Sequence, residues 1–355
     1  MCAVEWKCLN EIANVTIGEF VHKDKQNPNA EYPVYNGGIS NTGYYEDFNN
    51  TGNKIIISAR GANAGYINRV FVNYWAGNSC YSISVTSNDV DWNFLFYFLK
   101  TNQQKLIGEQ QKGGIPAISK KQICTFEIPI PSLAKQQEIV SHLDTFTTLI
   151  SNLESELDMR RKQYEHYRNQ LLDFEGQEGV EWKTLGEVAI NRDRMRKPIT
   201  ASKRVAGIYP YYGASGIVDY VEGYIFDGNY LLISEDGANL IARSTPIAFP
   251  ISGKTWVNNH AHVLEFNNLI TQRLIEIYLN SIDLTKYISG GAQPKLNQEN
   301  LNSILIPIPS LATQQEIVEK LDAFENLIQS LEQEIKLRKQ QYEYYREKLL
   351  TFEKE

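Results

Sequence analysis

No apolar run in this sequence is long enough to cross a bilayer, so no transmembrane helix is expected. The opening MCAVEWKCLNE carries charge where a secretory leader would be apolar, and a cytoplasmic protein is expected. Cysteine is scarce: Cys2, Cys8, Cys80 and Cys124 all fall in the first half and never form CxxC, which reads as reduced or bystander thiols. The signatures of catalysis are missing as well. There is no P-loop, no glycine motif of the adenosylmethionine-binding kind, and no Asn-Pro-Pro-aromatic motif, since Asn27-Pro28-Asn29 breaks it. No catalytic residue is assigned, and the chain is not expected to be an enzyme. Asn259-His260-Ala261-His262 would set two imidazoles on one strand face, but no Cys or carboxylate lies near at ligand spacing. A polar loop or a base-contacting pair is expected there, and no metal. An excess of positive charge is also lacking, with 35 Lys and Arg against 42 Asp and Glu. Divided along the chain, residues 1–132 balance at 11 against 11 and residues 177–310 at 12 against 13, so most of the acidity sits in two segments, 133–176 and 311–355. Net charge governs solubility, whereas the local field selects the partner.

What is present is a duplication. IPIPSLAKQQEIV (Ile128–Val140) returns as IPIPSLATQQEIV (Ile306–Val318), 178 positions later. From Ile128 to Glu175, set against Ile306 to Glu353, 30 of 48 positions are identical. Upstream, Val4–Ala13 answers Val180–Ala189, Tyr32–Gly38 answers Tyr209–Ser215, and Ile55–Asn63 answers Leu231–Asn239. One unit is written twice, each a variable globule followed by a nearly constant helix.

The helices announce themselves by period. Ile139, Leu143, Phe146, Ile150, Leu153, Leu157, Arg160, Tyr164, Tyr167, Leu171 and Phe174 step by four and three without a slip, and the second copy repeats the steps from Ile317 to Phe352. Such a seam predicts a coiled coil. Ser132 and Ser310 are candidate N-caps, and Gly176 is a natural stop for the first helix. Arg160 and Arg338 interrupt the apolar seam, either fixing register or laying a long stem along it with the head in water. The order globule, helix, globule, helix requires that the helices, if they pair, run antiparallel. The expected fold is α+β: two mixed α/β globules related by a pseudo-two-fold axis and joined by two long antiparallel coiled-coil helices. The expected segments are 1–131, 132–176, 177–309 and 310–355.

Within the globules, KIIIS (Lys54–Ser58) and YLLIS (Tyr230–Ser234) predict strands with glycine-rich turns after them. FLFYFLK (Phe94–Lys100) and RLIEIYLN (Arg273–Asn280) predict a helix each. Framework positions agree between copies, as in Trp6 with Trp182 and Ser58 with Ser234, while loops differ: Ala59-Arg60 against Glu235-Asp236, and Ile115–Ile118 against Gln293–Leu296. One scaffold presenting two sets of polar loops suits a molecule that reads two short targets.

The doubled I-P-I-P-S-L-A-x-Q-Q-E-I-V phrase with its long helix resembles the specificity subunits of type I restriction–modification systems, over essentially the whole chain. GANAG (Gly61–Gly65), GAN (Gly237–Asn239) and the GG-x-x-P loops fit that family's target recognition domains, and the chain is short for the family. The resemblance implies a non-catalytic subunit whose globules each bind half of a bipartite double-stranded DNA site, with the helices setting the spacer. It implies two copies of a methyltransferase subunit and a motor–nuclease subunit as partners. No cofactor is expected in this chain; S-adenosylmethionine, ATP and Mg are expected on those partners. Under this reading the richest stretch for DNA contact holds Arg192, Arg194, Arg196 and Lys197, answered in the first copy by Lys23 and Lys25. Arg60 follows a strand at a glycine-rich turn where backbone can approach a phosphate. Lys112, Lys120 and Lys121, with Gln293 and Lys295, extend the set, as do Asn36, Asn63 and Asn239 in the polar loops. Gln136, Gln137, Gln314 and Gln315 are candidates for binding a protein partner, although helix-start hydrogen bonding explains them as well. A structural adaptor that holds two protein partners is the alternative; it accounts for the helices but not for the divergent loops.

Overall fold

The computed structural model describes residues 4–108, 116–291 and 293–353. The chain divides into two compact units: Met1–Ser155 with Gln333–Glu355, and Glu156–Glu332. Each unit therefore owns one globule, the first part of one long helix and the last part of the other.

In the first unit, strand Glu5–Cys8 pairs antiparallel with Glu127–Ile130, placing Trp6 opposite Pro129. In the second, Glu181–Thr184 pairs with Leu305–Ile308 and sets Trp182 opposite Pro307 in the same register. The repeated IPIP phrase is thus a strand that ties the start of each globule to the start of its helix. Proline suits it because the strand has a single partner and one edge needs no N–H. The helices follow at once, Leu133–Leu171 and Leu311–Leu350. Ser132 Oγ accepts from the Lys135 amide at 3.4 Å, and Ser310 Oγ from the Thr313 amide at 3.2 Å, the roles expected of N-caps.

Helix pairing is antiparallel within each unit. In the first, Phe146 stacks on Tyr345 and Glu154 pairs with Lys339 at 2.7 Å. In the second, Arg161 pairs with Glu332 at 2.6 Å and Tyr167 stacks on Phe324. Arg160 bonds Glu156 and Gln163, and Arg338 bonds Glu334 and Gln341, each on its own helix. Their heads stay at the wet edge of the seam, which is the second of the two roles open to them. The first helix ends at Leu171, before Gly176 (φ 71°), because the chain turns to bury Leu172 and Phe174 against Leu274, Ile277 and Ile317 of its unit.

The first globule packs a four-stranded antiparallel sheet, ordered Ala13–Ile17, Cys80–Val85, Lys54–Ser58, Ile67–Val70, beside a three-stranded sheet. Helix Trp92–Thr101 closes its core with Phe94, Leu95 and Phe98. The second globule has a six-stranded sheet, ordered Ile190–Asn191, Ala261–Glu265, Phe226–Ser234, Ala248–Val257, Ala206–Gly213, Gly216–Val221, and the corresponding helix Leu269–Ser281. Asp91 and Asn268 cap these two helices with side-chain oxygens.

Two residues common to both long helices anchor each globule. Gln136 is fully buried: it donates to Asp89 O and Pro131 O and accepts from the Asp91 amide at 2.8 Å. Gln314 is likewise buried, donating to Pro309 O and accepting from Thr271 Oγ1 at 2.7 Å. Both amides are spent inside the chain, so as partner-binding candidates they are replaced by the helix-start role. Asp144 and Asp322, equivalent positions, each hold an arginine of the globule: Arg69 at 3.0 Å and Arg273 at 2.7 Å. Tyr97 also donates to Asp144, and burial followed by that bond pushes its phenol up to about 12.

Candidate nucleic-acid interface

A common frame carries the variable residues in both globules. Strand Lys54–Ser58 ends with Ser58 Oγ donating to Gly38 O at 3.0 Å; strand Phe226–Ser234 ends with Ser234 Oγ donating to Ala214 O at 2.5 Å. The chain then turns through Gly61 (φ 94°) and Gly237 (φ 106°), a left-handed conformation that glycine adopts without penalty. The turn is stitched to the proline loop by Gly61 N–H to Pro116 O (2.9 Å) and Ile118 N–H to Ala59 O (3.0 Å). In the second globule the same stitches are Gly237 N–H to Pro294 O (3.2 Å) and Leu296 N–H to Glu235 O (2.8 Å). Arg60 opposite Ala117, and Asp236 opposite Lys295, form the same isolated antiparallel bridge.

On that frame the side chains diverge. Tyr81 pairs with Ile57, and His262 with Ile233, at the same register. Tyr81 donates its hydroxyl to Ile118 O at 3.3 Å, and His262 Nε2 reaches the equivalent Leu296 O at 2.7 Å. One carbonyl is therefore satisfied by two different residue types. The His262 ring is 1% exposed, and its other nitrogen, Nδ1, lies 2.6 Å from Asp193 Oδ2. Both ring nitrogens are thus engaged, one by a carboxylate and the other by a backbone carbonyl.

Around His262 the second globule builds an ion cluster. Asp193 also accepts from the Val263 amide at 2.8 Å, and Arg196 lies 3.3 Å from it and 2.5 Å from Glu235. Lys295 closes on Glu235 at 3.0 Å. Burial would raise the Asp193 carboxyl, but the hydrogen bond and charge of His262, the Val263 amide and Arg196 outweigh it and hold the group below the usual carboxylate range. Glu235 is held low in the same way, burial being outweighed by Arg196, His262 and Lys295. Asp193, Glu235 and His262 bring ligand atoms within 4.8 Å of one another, but the two carboxylates are already paired with Arg196 and Lys295. The first globule has Ile17, Ala59, Tyr81 and Ala117 where the second has Asp193, Glu235, His262 and Lys295, so the cluster has no counterpart there.

The structure sorts the candidate contact residues. Arg194 and Lys197 are exposed and have no side-chain partner among the described residues. Arg192 is half-exposed and bonded to Glu265 at 2.6 Å. Arg196 is removed from the contact set, because its guanidinium is consumed by Asp193, Glu235 and Ala261 O. Lys23 and Lys25 stand exposed on a single 3-10 turn, and Lys120 and Lys121 are exposed at the start of a short helix capped by Ser119. Arg60 is exposed, its charge reaches the Tyr81 phenol, and it makes no hydrogen bond or ion pair among the described residues. Lys112 lies outside the described residues. Asn239 is spent on its own loop: it donates to Thr245 O and accepts from the Thr245 amide and Ser244 Oγ. Asn36 accepts from the Ser79 amide at 3.0 Å, a framework role, and half-buried Asn63 sits in the glycine turn, where its carbonyl accepts from Tyr66 N–H. Gln293 is exposed beside the bridge, and Lys295 keeps half its side chain in solvent despite its pair. Gln137 and Gln315 are exposed on the helices, unlike their buried neighbours.

Sequence reasoning missed Asp236 with His260, and the Asp193–Glu235–His262 cluster. His260 and His262 do not share a face: His260 lies in the turn before the strand and bonds Asp236 at 2.8 Å, half in solvent, whereas His262 points into the core. The carboxylates near His262 come from positions 69 and 27 residues before it, which no local spacing reveals.

The type I restriction modification DNA specificity domain matches the chain twice, over residues 3–159 and 177–337. A Haemophilus influenzae protein named for a type I restriction enzyme specificity subunit, S.HindORF215P, is 43% identical over 188 residues, covering 51% of this chain and 48% of that one. The Escherichia coli type I restriction enzyme EcoR124I/EcoR124II specificity subunit is 33% identical over 300 residues, covering 76% and 73%. Among solved structures, the type I restriction–modification S subunit from M. genitalium superposes with a TM-score of 0.73 at 20% identity, covering 100% of this chain and 98% of that one.

Proposed function

Because this chain belongs to the type I restriction modification DNA specificity family, we propose that it is the DNA-reading, non-catalytic component of such a system. Each globule reads one half of an asymmetric bipartite site, and the length of the two helices sets the gap between the halves. Methyl transfer and cleavage are assigned to partners: two copies of a methyltransferase subunit, and a motor–nuclease subunit. S-adenosylmethionine, ATP and Mg act on those subunits, in the cytoplasm. One observation carries the reading. Two copies of one hydrogen-bonded frame expose different side chains at matching positions, Arg60 in one and Asp236 in the other, which suits two targets of different sequence.

Co-expression with the cognate methyltransferase subunit in a host without adenine methylation, followed by genome-wide mapping of methylated adenines, tests it. One bipartite motif with two different halves is expected. A palindrome would refute the asymmetry, and the absence of any added motif would refute the assignment.

A further inference from the structure

We propose that the position shared by Arg60 and Asp236 faces base edges and sets the sequence preference of each half-site, with guanine selected in one half and cytosine in the other. The inference rests on the DNA-reading role. Both residues follow the strand-ending serine by two positions and precede a left-handed glycine. Both take part in the isolated bridge to the proline loop, through the same two stitching hydrogen bonds. An ideal Cβ at Gly61 or Gly237 would meet nothing within 4 Å, so the turn beside each residue opens to solvent. The backbone setting is therefore common, and the charge is inverted.

That inversion is informative. If both globules present this corner to DNA in the same manner, a phosphate partner is excluded, because a carboxylate against a phosphate is repelled. Base edges in the major groove offer both kinds of partner. The guanidinium of Arg60 matches guanine O6 and N7, and the carboxylate of Asp236 matches the N4 amino group of cytosine. Arg60 is exposed and is held by no hydrogen bond or ion pair among the described residues. Asp236 is oriented by His260, whose Nδ1 lies 3.0 and 2.8 Å from its two oxygens, leaving further lone pairs for a donor. His260 is thus a positioning residue. Lys295, paired across the bridge, is held back by Glu235 and leaves the corner's charge to Asp236.

The test uses the complex of the full chain with its methyltransferase subunit. Arg60→Ala and Asp236→Asn are each compared with wild type in competition binding to duplexes varied one base pair at a time. Arg60→Ala is expected to erase a preference for guanine at one position of one half-site, a loss of about 5- to 150-fold, while the other half-site is read as before. Asp236→Asn is expected to do the converse, at a cytosine of the other half. The untouched half-site reports that the variant is folded. Unchanged preference at every position would overturn the proposal, and so would a uniform loss across all sequences with a salt slope lower by about 0.9, the mark of a residue that neutralises a phosphate. A wild-type complex with no bipartite preference would instead sink the DNA-reading role itself.

Discussion

Asp193→Ala should be among the most damaging single changes in the second unit. The carboxylate is 5% exposed and bonds four groups: His262 at 2.6 Å, the Val263 amide at 2.8 Å, Asn191 at 3.2 Å and Arg196 at 3.3 Å. Its removal leaves the buried His262 Nδ1 without its partner and takes one of two carboxylates from Arg196, which is only 14% exposed. Breaking a buried ion pair from one side costs about 3–5 kcal/mol. The orphaned Val263 amide belongs to the same network, so its cost is not simply added. With a urea dependence of about 2–3 kcal/mol per molar, the unfolding midpoint should fall by roughly 1–2.5 M. Asp193→Asn keeps an acceptor for the amide and should fall by less. The pH dependence has a definite sign. The folded carboxyl titrates below its ordinary value, so its stabilisation is complete above the unfolded pKa of about 3.9 and is lost as pH falls through the depressed one. The gap between wild type and Asp193→Ala should therefore be constant near neutrality and close in acid. Urea unfolding followed by circular dichroism at pH 7 and in acid well below the unfolded value of about 3.9 measures it. A difference under about 1 kcal/mol at pH 7 would refute the cluster as a coupled buried unit.

Further expectations concern other parts of the chain. Gln136→Ala removes three hydrogen bonds of a buried side chain and should cost about 2–4 kcal/mol in chemical denaturation, whereas exposed Gln137→Ala should stay within about 0.5 kcal/mol. Alanine at both Arg194 and Lys197 should leave stability intact and lower the log–log salt slope of DNA binding by about 0.9 for each phosphate no longer neutralised; Arg196→Ala should instead act through unfolding, since its charge is buried. Four residues added after Ser155 and four after Gln333 lengthen each helix by about 6 Å. Methylation mapping should then return the same half-sites with a longer gap, and methylation at the original spacing would argue against the helices as the ruler.

Much of the fold was legible because it rests on local pattern. The four-three seam, the serine caps, strand Lys54–Ser58 and the helices around Phe94–Lys100 and Arg273–Asn280 all follow from periods and end signals within a few residues of each other. Duplication supplied the pairing that a single copy would have hidden. The site was less legible, since its chemistry is long-range. Arg196 and Arg194 look alike in sequence, yet one faces Asp193 and Glu235 while the other faces solvent. Gln136 and Gln137 differ only in which side of the first helical turn they occupy. Position 236 carried a readable signal, the charge reversal against Arg60, but an acidic residue was not sought at a DNA surface.

The contrast between Tyr81 and His262 bears on how the two halves accumulate change. In the first unit the carbonyl of the proline loop is held by a neutral hydroxyl, and Ala59 and Ala117 make no charged demands on their surroundings. Arg60 is free to be replaced there by single substitutions at little cost to folding. In the second unit Glu235 and Lys295 flank Asp236 and belong to a charge-matched set with Asp193, Arg196 and His262. A step that removes one of them leaves the others uncompensated until a second arrives. Change at Glu235 or Lys295 in the second half must therefore pass through destabilised intermediates or proceed by replacement of the whole set, while the matching positions of the first half are open to gradual retuning.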